Sequence, residues 1–443
     1  MNVALHSRIQ VTVRALLIGL AMAAVLCTSS WAASEKVLYR FHGKDGWTPN
    51  SVILGADGAL YGTTTVGGEY GGVTYGGVVF QLVHKANGKW SEKVLHSFDV
   101  QDGDGPEGPL VADKAGNLYG TTVYGASNGC SNLGCGVVFE LVRGKGDSWT
   151  YKILYNFSSG GGLWPHAGVI FDSQGNLYGT ASGGGNFNAC TGGCGVVFKL
   201  APDGKGNWTE SVLYAFNGDD GGGPSCQLIF DSSGNLYGTT YYGGANGGGT
   251  VFELTPGKNG QWSEQVLHSF SYDTGDGDAP ISGLAFDRTG NLYGTTINGG
   301  TKGQQGWGVA FKLAPENGKW KETILHTFDQ YKFDGGDPTS RLIFDPAGNL
   351  FGAAESGGKF ACPGSGGLGC GVVFKLTKQP DGKWRGTVVH SFGKGNDGSY
   401  PGGDLVLDSS GDMFGATAAG GYFGGVCGND GGIGCGVVFE ITP

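Results

Sequence analysis

The residues best suited to chemistry in this chain stand in a repeated motif, Asp-Gly-x-x-Pro. It occurs at Asp45-Gly46 to Pro49, Asp102-Gly103 to Pro106, Asp220-Gly221 to Pro224, Asp276-Gly277 to Pro280, Asp334-Gly335 to Pro338 and Asp397-Gly398 to Pro401. A further copy reads Gly161-Gly162 to Pro165. Calcium takes oxygen ligands that include carboxylates, and the best-placed pairs for it are Asp102/Asp104, Asp276/Asp278 and Asp334/Asp337. The same residues also build an ordinary turn, in which Asp accepts backbone hydrogen bonds and Gly takes a positive φ. Recurrence in six copies fits the turn, because one bound ion would need one copy. No cofactor is required by the sequence; calcium is the one these loops suggest, and zinc held by thiolates of neighbouring repeats is the lesser alternative to pairing of the cysteines.

Two places after each of those prolines stand Ser51, Gly108, Ala167, Cys226, Ser282, Ser340 and Gly403, all small. Beside them the residues vary and are polar: Asn50, Glu107, His166, Gln227, Arg341 and Asp404. On a symmetric scaffold that variation could make one asymmetric binding site, or a hydrolase or lyase centre using His166, Glu107 and Asp404. Cys226, at one of the small positions, reads as packing and not as a nucleophile. Trp47, Trp164, Tyr242, Tyr272, Trp307, Tyr331 and Tyr400 fall among Gly, Asn and Asp in loops, where they could stack on sugar rings. Trp90, Trp149, Trp208, Trp262, Trp320 and Trp384 share one strand position and read as packing. His96, His268, His326 and His390 also share one position, held elsewhere by Tyr39, Tyr155 and Tyr214, and read as half-buried rings with a polar tip. No G-x-S-x-G elbow, H-E-x-x-H or P-loop occurs.

These positions repeat because the chain does. Gly116-Asn117-Leu118-Tyr119-Gly120-Thr121-Thr122 returns as Gly234 to Thr240 and Gly290 to Thr296, with looser copies at Gly58, Gly175, Gly348 and Gly411. Each unit carries four short apolar runs separated by turn residues, and so predicts four strands. In the fourth unit these are Leu228-Ile229-Phe230, Leu236 to Thr240, Thr250 to Leu254 and Trp262 to Phe270. Four-stranded units repeated radially make a propeller. The expected fold is therefore all-β: a closed seven-bladed β-propeller over residues 34–443 with four antiparallel strands per blade. Ser34 to Phe41 matches the fourth strand Ser91 to Phe98, and the chain finishes on a third strand, Val437 to Ile441. The N-terminal strand is thus expected to complete the last blade, covering edge groups that would otherwise lie open.

The G-N-L-Y-G-T-T, G-V-V-F-E-L and V-L-H-S-F blocks resemble the GloVer tandem repeat of choice-of-anchor bacterial exoproteins, and the resemblance covers all seven units. It implies the propeller and export. Members of that family often carry a C-terminal sorting anchor. None is read here, so release or another attachment is expected. A weaker similarity to kelch repeats rests on the glycine pairs and the late tryptophan, but the tyrosine here precedes the glycine pair.

Composition narrows the remaining choices. Glycine fills 91 of 443 positions, yet 39% of residues are apolar and 12% aromatic, which suits turn-rich β structure and not long helices. Residues 1–33 read as a secretory leader, with Arg8 and Arg14 before the apolar run Ala15 to Cys27. That run is too short to span a bilayer, and no later segment is expected to span one. Removing the two arginines takes the formal net charge from −10 to −12, so nucleic acid is an improbable partner. Eight cysteines fall into the short pairs Cys130/Cys135, Cys190/Cys194, Cys362/Cys370 and Cys427/Cys435, expected as local disulfides in an oxidising compartment. They lie in the longer connections, which share one face with the Asp-Gly loops. The expectation is a secreted or periplasmic monomer that binds an extracellular ligand, glycan before envelope protein, through that face. A polysaccharide-acting enzyme at the axial mouth is the alternative.

Overall fold

The computed structural model describes residues 33–70, 76–126, 130, 133–300, 306–362, 368–424, 427 and 433–443. The expected leader, apart from its last residue, lies outside these. Among the described residues the strands form seven four-stranded antiparallel sheets and one two-stranded ribbon, Gly162–Leu163 with Gly183–Gly184. The sheets are the seven expected blades, numbered here from the first innermost strand, Trp47–Leu54.

Blade 4 shows the unit. From the inside outwards its strands are Ile229–Phe230, Leu236–Thr240, Thr250–Pro256 and Trp262–Ser269. The turn between the first two is held by Asp231, whose Oδ1 accepts the amide hydrogens of Ser233 (2.8 Å) and Asn235 (2.9 Å). Gly234 there has φ +87°, a left-handed conformation that glycine adopts freely. The second strand is buried along its whole length, because neighbouring blades cover both of its faces. The exposed outer strand instead alternates, with Trp262 packed against the apolar core between blades 3 and 4. The tryptophans at this strand position in the other blades pack likewise.

Two departures from the simple repeat shape the site. First, the innermost strands of blades 2 to 7 are only two residues long, such as Ile343–Phe344. Ahead of them the small side chains replace ladder bonds. Ser340 Oγ accepts the Ala353 amide hydrogen at 2.6 Å and donates to its carbonyl at 3.3 Å. Second, every outer strand carries a register shift against the third strand, as between Val251 and Phe252, so that Leu267 has no partner. Such a bulge re-aims the next side chain, here His268.

Closure is complete. Ser34–Arg40 pairs antiparallel with Val437–Thr442, and Lys36 Nζ meets Glu440 Oε2 at 3.2 Å. A phenylalanine just after each outer strand packs edge-on or tilted against one in the third strand of the next blade. Phe98–Phe139 lie 5.3 Å apart, Phe216–Phe252 5.1 Å and Phe328–Phe374 4.8 Å. The same contact crosses both chain ends, as Phe392–Phe439 (5.0 Å) and Phe41–Phe80 (5.1 Å). Each such pair adds roughly 0.5–1.5 kcal/mol beyond area burial. Among the described residues no helix is long and apolar enough to cross a membrane.

Candidate functional site

The residue before each repeat proline is left-handed: Thr48 (φ 57°), Gly105 (66°), Trp164 (59°), Gly223 (63°), Ala279 (57°), Asp337 (54°) and Tyr400 (59°). Five of these are not glycine, and for a β-branched residue such as Thr48 the conformation is costly. This kink turns the chain from the loop face into the axis, so that the residue after each proline looks into the mouth of the ring. Those seven residues, Asn50, Glu107, His166, Ser225, Ile281, Thr339 and Gly402, all line one cavity of about 830 Å³.

Of the six polar positions read from the sequence, Asn50, Glu107, His166, Gln227 and Asp404 line this cavity, and Arg341 lies against Gln227 and Asp404 without lining it. Asn50, Glu107 and His166 stand straight after the prolines and form part of the upper ring, whereas Gln227, Arg341 and Asp404 form a lower tier two residues further along each strand, after the small residues. His166 Nδ1 donates to Glu107 Oε2 at 2.7 Å, which leaves Nε2 as the acceptor in the neutral ring. In the lower tier Arg341 reaches over Gly283 to donate to Gln227 Oε1 at 3.2 Å, and it meets Asp404 Oδ2 at 3.4 Å. Asp404 also accepts the Arg341 amide hydrogen at 2.8 Å. The three side chains bridge blades 4, 6 and 7 beneath the cavity. Asn50 is committed to the joint between blades 1 and 2, donating to Thr65 Oγ1 (2.9 Å) and the Pro106 carbonyl (3.0 Å).

The aromatic residues separate. Trp164 and Tyr242 line the cavity, joined by Tyr241, which is 46% exposed. Trp307 and Tyr331 form an edge-on pair at 6.0 Å elsewhere, while Tyr272 is exposed and Tyr400 packs partly into the core near Cys370. Trp47 corrects the expected platform: it is 3% exposed and its Nε1 donates to the Gly434 carbonyl at 3.0 Å. One residue earlier in its loop than Trp164, it falls on the opposite side of the strand and enters the core.

Glu355 has no counterpart in the sequence reading. It lines the cavity, and burial pushes its carboxyl above the usual range, with the Asp337 charge adding to the rise. Only its place straight after the Gly352-Ala353-Ala354 strand end, shared with the cavity residues Thr65, Ser182 and Tyr241, hints at this.

The carboxylates considered for calcium face different partners within each pair. Asp102 Oδ2 lies 3.0 Å from His96 Nε2, whereas Asp104 accepts the Gly76 amide hydrogen at 2.8 Å. Asp276 lies 3.3 Å from His268 and Asp278 faces Asn298 at 3.5 Å, while Asp334 lies 3.3 Å from His326 and Asp337 accepts from Ser356 at 2.8 Å. The recurrent His and the recurrent Asp are therefore partners. Where Tyr replaces His the contact persists, as between Tyr39 Oη and Asp45 at 2.6 Å.

Four disulfides, Cys130–Cys135, Cys190–Cys194, Cys362–Cys370 and Cys427–Cys435, pair as expected on the same face. They suit an extracytoplasmic compartment. The loop closed by Cys190–Cys194 contributes Thr191 and Gly193 to the cavity wall.

The family model of the Gloeobacter/Verrucomicrobia repeat matches residues 28–134, 123–361 and 259–443. The chain belongs to that family. As a Gloeobacter/Verrucomicrobia repeat protein it has the fold and the repeat expected from its motifs. No curated protein matches the chain at a significant level. Among solved structures it is similar to the periplasmic gluconolactonase of Pseudomonas aeruginosa, with 15% identity over 78% of this chain and 84% of that one and a TM-score of 0.47. A protein from Lactobacillus plantarum gives 14% identity, 83% and 89% coverage and a TM-score of 0.48. A luciferin-regenerating enzyme gives 13%, 76% and 91% with a TM-score of 0.42.

Proposed function

We propose that this protein binds carbohydrate outside the cytoplasm, in the axial cavity on its disulfide-braced face. The observation that carries this reading is the composition of the cavity. Trp164, Tyr241 and Tyr242 supply ring faces on one side, and Glu107, His166 and Gln227 supply hydrogen-bonding groups around them. An apolar wall with a few convergent polar groups is the usual design of a small-ligand pocket. The disulfide at Cys190–Cys194 and the kinks ahead of the prolines hold the wall in place before a ligand arrives, and preorganisation lowers the cost of binding.

The test is a glycan and polysaccharide array probed with the full chain, expressed with its own leader, in calcium and in chelator. Trp164→Ala together with Tyr242→Ala is expected to weaken binding by about tenfold or more, while Tyr331→Ala leaves it unchanged. Binding untouched by the first pair, or the absence of any glycan ligand, overturns the reading.

Cleavage of the bound polymer is a second reading, favoured by two carboxyls in unlike settings on one cavity. Glu107 is held by an imidazole, and Glu355 is kept protonated more readily by burial. Such a division suits a base and an acid. New reducing ends or unsaturated products, lost in Glu355→Gln, would support it; an intact polymer after prolonged incubation would exclude it.

A further inference from the structure

We propose that two of the seven blade joints are transition-metal sites of the zinc class, one formed by His268, Asp276 and Glu322 and the other by Glu35, His390 and Asp397. In each group the histidine lies on one outer strand, the aspartate in the loop that follows, and the glutamate on the outer strand of the next blade. One ligand atom from each of the three residues falls within 4.8 Å of the others.

The geometry suits a shared ion better than direct pairing. His268 Nε2 and His390 Nε2 each lie 3.3 Å from their aspartate Oδ2. Two ligands about 2.05 Å from a tetrahedral zinc ion are themselves roughly 3.3 Å apart. His268 Nε2, Glu322 Oε1 and Glu35 Oε1 are shut off from solvent without a hydrogen-bond partner, while His390 Nε2 is within hydrogen-bonding reach of Asp397. His96 Nε2 and the Oε1 atoms of Glu92, Glu210 and Glu264 are orphaned too, but among the described residues only the two proposed sites bring ligand atoms of a histidine, an aspartate and a glutamate together. Two carboxylates and one neutral imidazole around a divalent cation make a neutral group, which removes the cost of burying charge. An imidazole in the set favours zinc and its neighbours over calcium or magnesium.

Four of the other joints lack one member each, and the fifth, with Tyr155, Gly161 and Glu210, lacks both the histidine and the aspartate. Tyrosine stands for histidine beside Glu92 and Glu264, where Tyr39 and Tyr214 donate directly to Asp45 and Asp220 at 2.6 and 2.5 Å. Where histidine is kept but glutamate is lost, the space is filled otherwise. Tyr151 stacks on His96 at 3.9 Å, and a side chain at Gly386 would meet the His326 ring at 2.7 Å. Among the described residues of the seven outer joints, histidine and glutamate meet only at the two proposed sites. The second of these ties Glu35, on the strand that closes the ring, to blade 6.

The experiment uses the untagged full chain, stripped of metal with a chelator and titrated with Zn²⁺ by calorimetry, with bound metal counted by mass spectrometry. Two equivalents are expected for the wild type, one each for His268→Tyr and His390→Tyr, and none for the double variant. Tyrosine already occupies this place in three blades, so these variants should fold, and equal melting temperatures in chelator check that they do. Should either fail that check, Glu322→Gln and Glu35→Gln replace them. Zinc is also expected to raise the melting temperature of the wild type and not of the double variant. No zinc bound at micromolar concentration, undiminished binding in the double variant, or displacement of zinc by equimolar calcium overturns the proposal.

Discussion

Cys226 Sγ accepts the Thr239 amide hydrogen at 3.0 Å and lies 3.6 Å from the Thr239 carbonyl, the two contacts that Ser282 and Ser340 make through their hydroxyls in later blades. The thiol is fully buried and burial raises its pKa, so it is poorly placed to act as a nucleophile. Cys226→Ser is expected to change stability by less than about 1 kcal/mol, whereas Cys226→Val leaves the Thr239 amide unpaired and costs about 1–3 kcal/mol in denaturant unfolding. Glu92 makes a different residue-scale prediction. Its Oε1 is buried without a partner, and burial, reinforced by the Asp45 charge, pushes its carboxyl up to about 8. The folded state thus holds this proton more tightly than the unfolded chain, and stability falls as pH rises from about 4.5 towards about 8. Glu92→Gln should match the wild type near pH 4.5 and melt higher at pH 8; equal melting at both values would show that the carboxylate finds compensation when it ionises.

At the scale of the strand, the tightest constraint is the glycine of the second strand. A Cβ at Gly238 would meet Phe252 Cζ at 2.7 Å and Leu228 Cδ2 at 2.9 Å, and the equivalent glycine of each other blade faces its own phenylalanine the same way. Gly238→Ala is therefore expected to cost about 1–3 kcal/mol through overpacking, measured by chemical denaturation. Gly411→Ala, in open space at a turn but with φ +89°, tests backbone strain alone. The strands and their order were legible because apolar runs and turn residues recur in every unit. The partnership of His268 with Asp276 was not legible, since it depends on a one-residue bulge that no composition signals. The axial ring was half legible. The sequence shows which residues follow each proline, but their sorting into an upper and a lower tier needs the strand direction and the kink. Trp47 was misplaced for the same reason: a shift of one residue along a strand exchanges its faces.

The ring as a whole depends on a strand contributed from the far end of the chain. Ser34–Arg40 covers the only edge of blade 7 that lies between two other outer strands, and Phe41, just beyond it, extends the aromatic contacts across the gap to Phe80. In an open array each repeat touches only its neighbours and unfolding spreads from the ends; closure by Ser34–Arg40 removes both ends at once. Deleting residues 1–40 would expose the backbone of Val437–Thr442 and part blade 7 from blade 1. The expected result is a broad, lower-melting transition and concentration-dependent association by size exclusion, because an uncovered edge pairs with other chains. A synthetic peptide spanning residues 34–41 should restore a single sharp transition when added in excess, and a Phe41→Ala version of it should do so less well, since truncating a buried phenylalanine costs about 3–5 kcal/mol. A truncated chain that stays monomeric and melts like the full one would show that contacts between the remaining blades are enough to hold the circle shut.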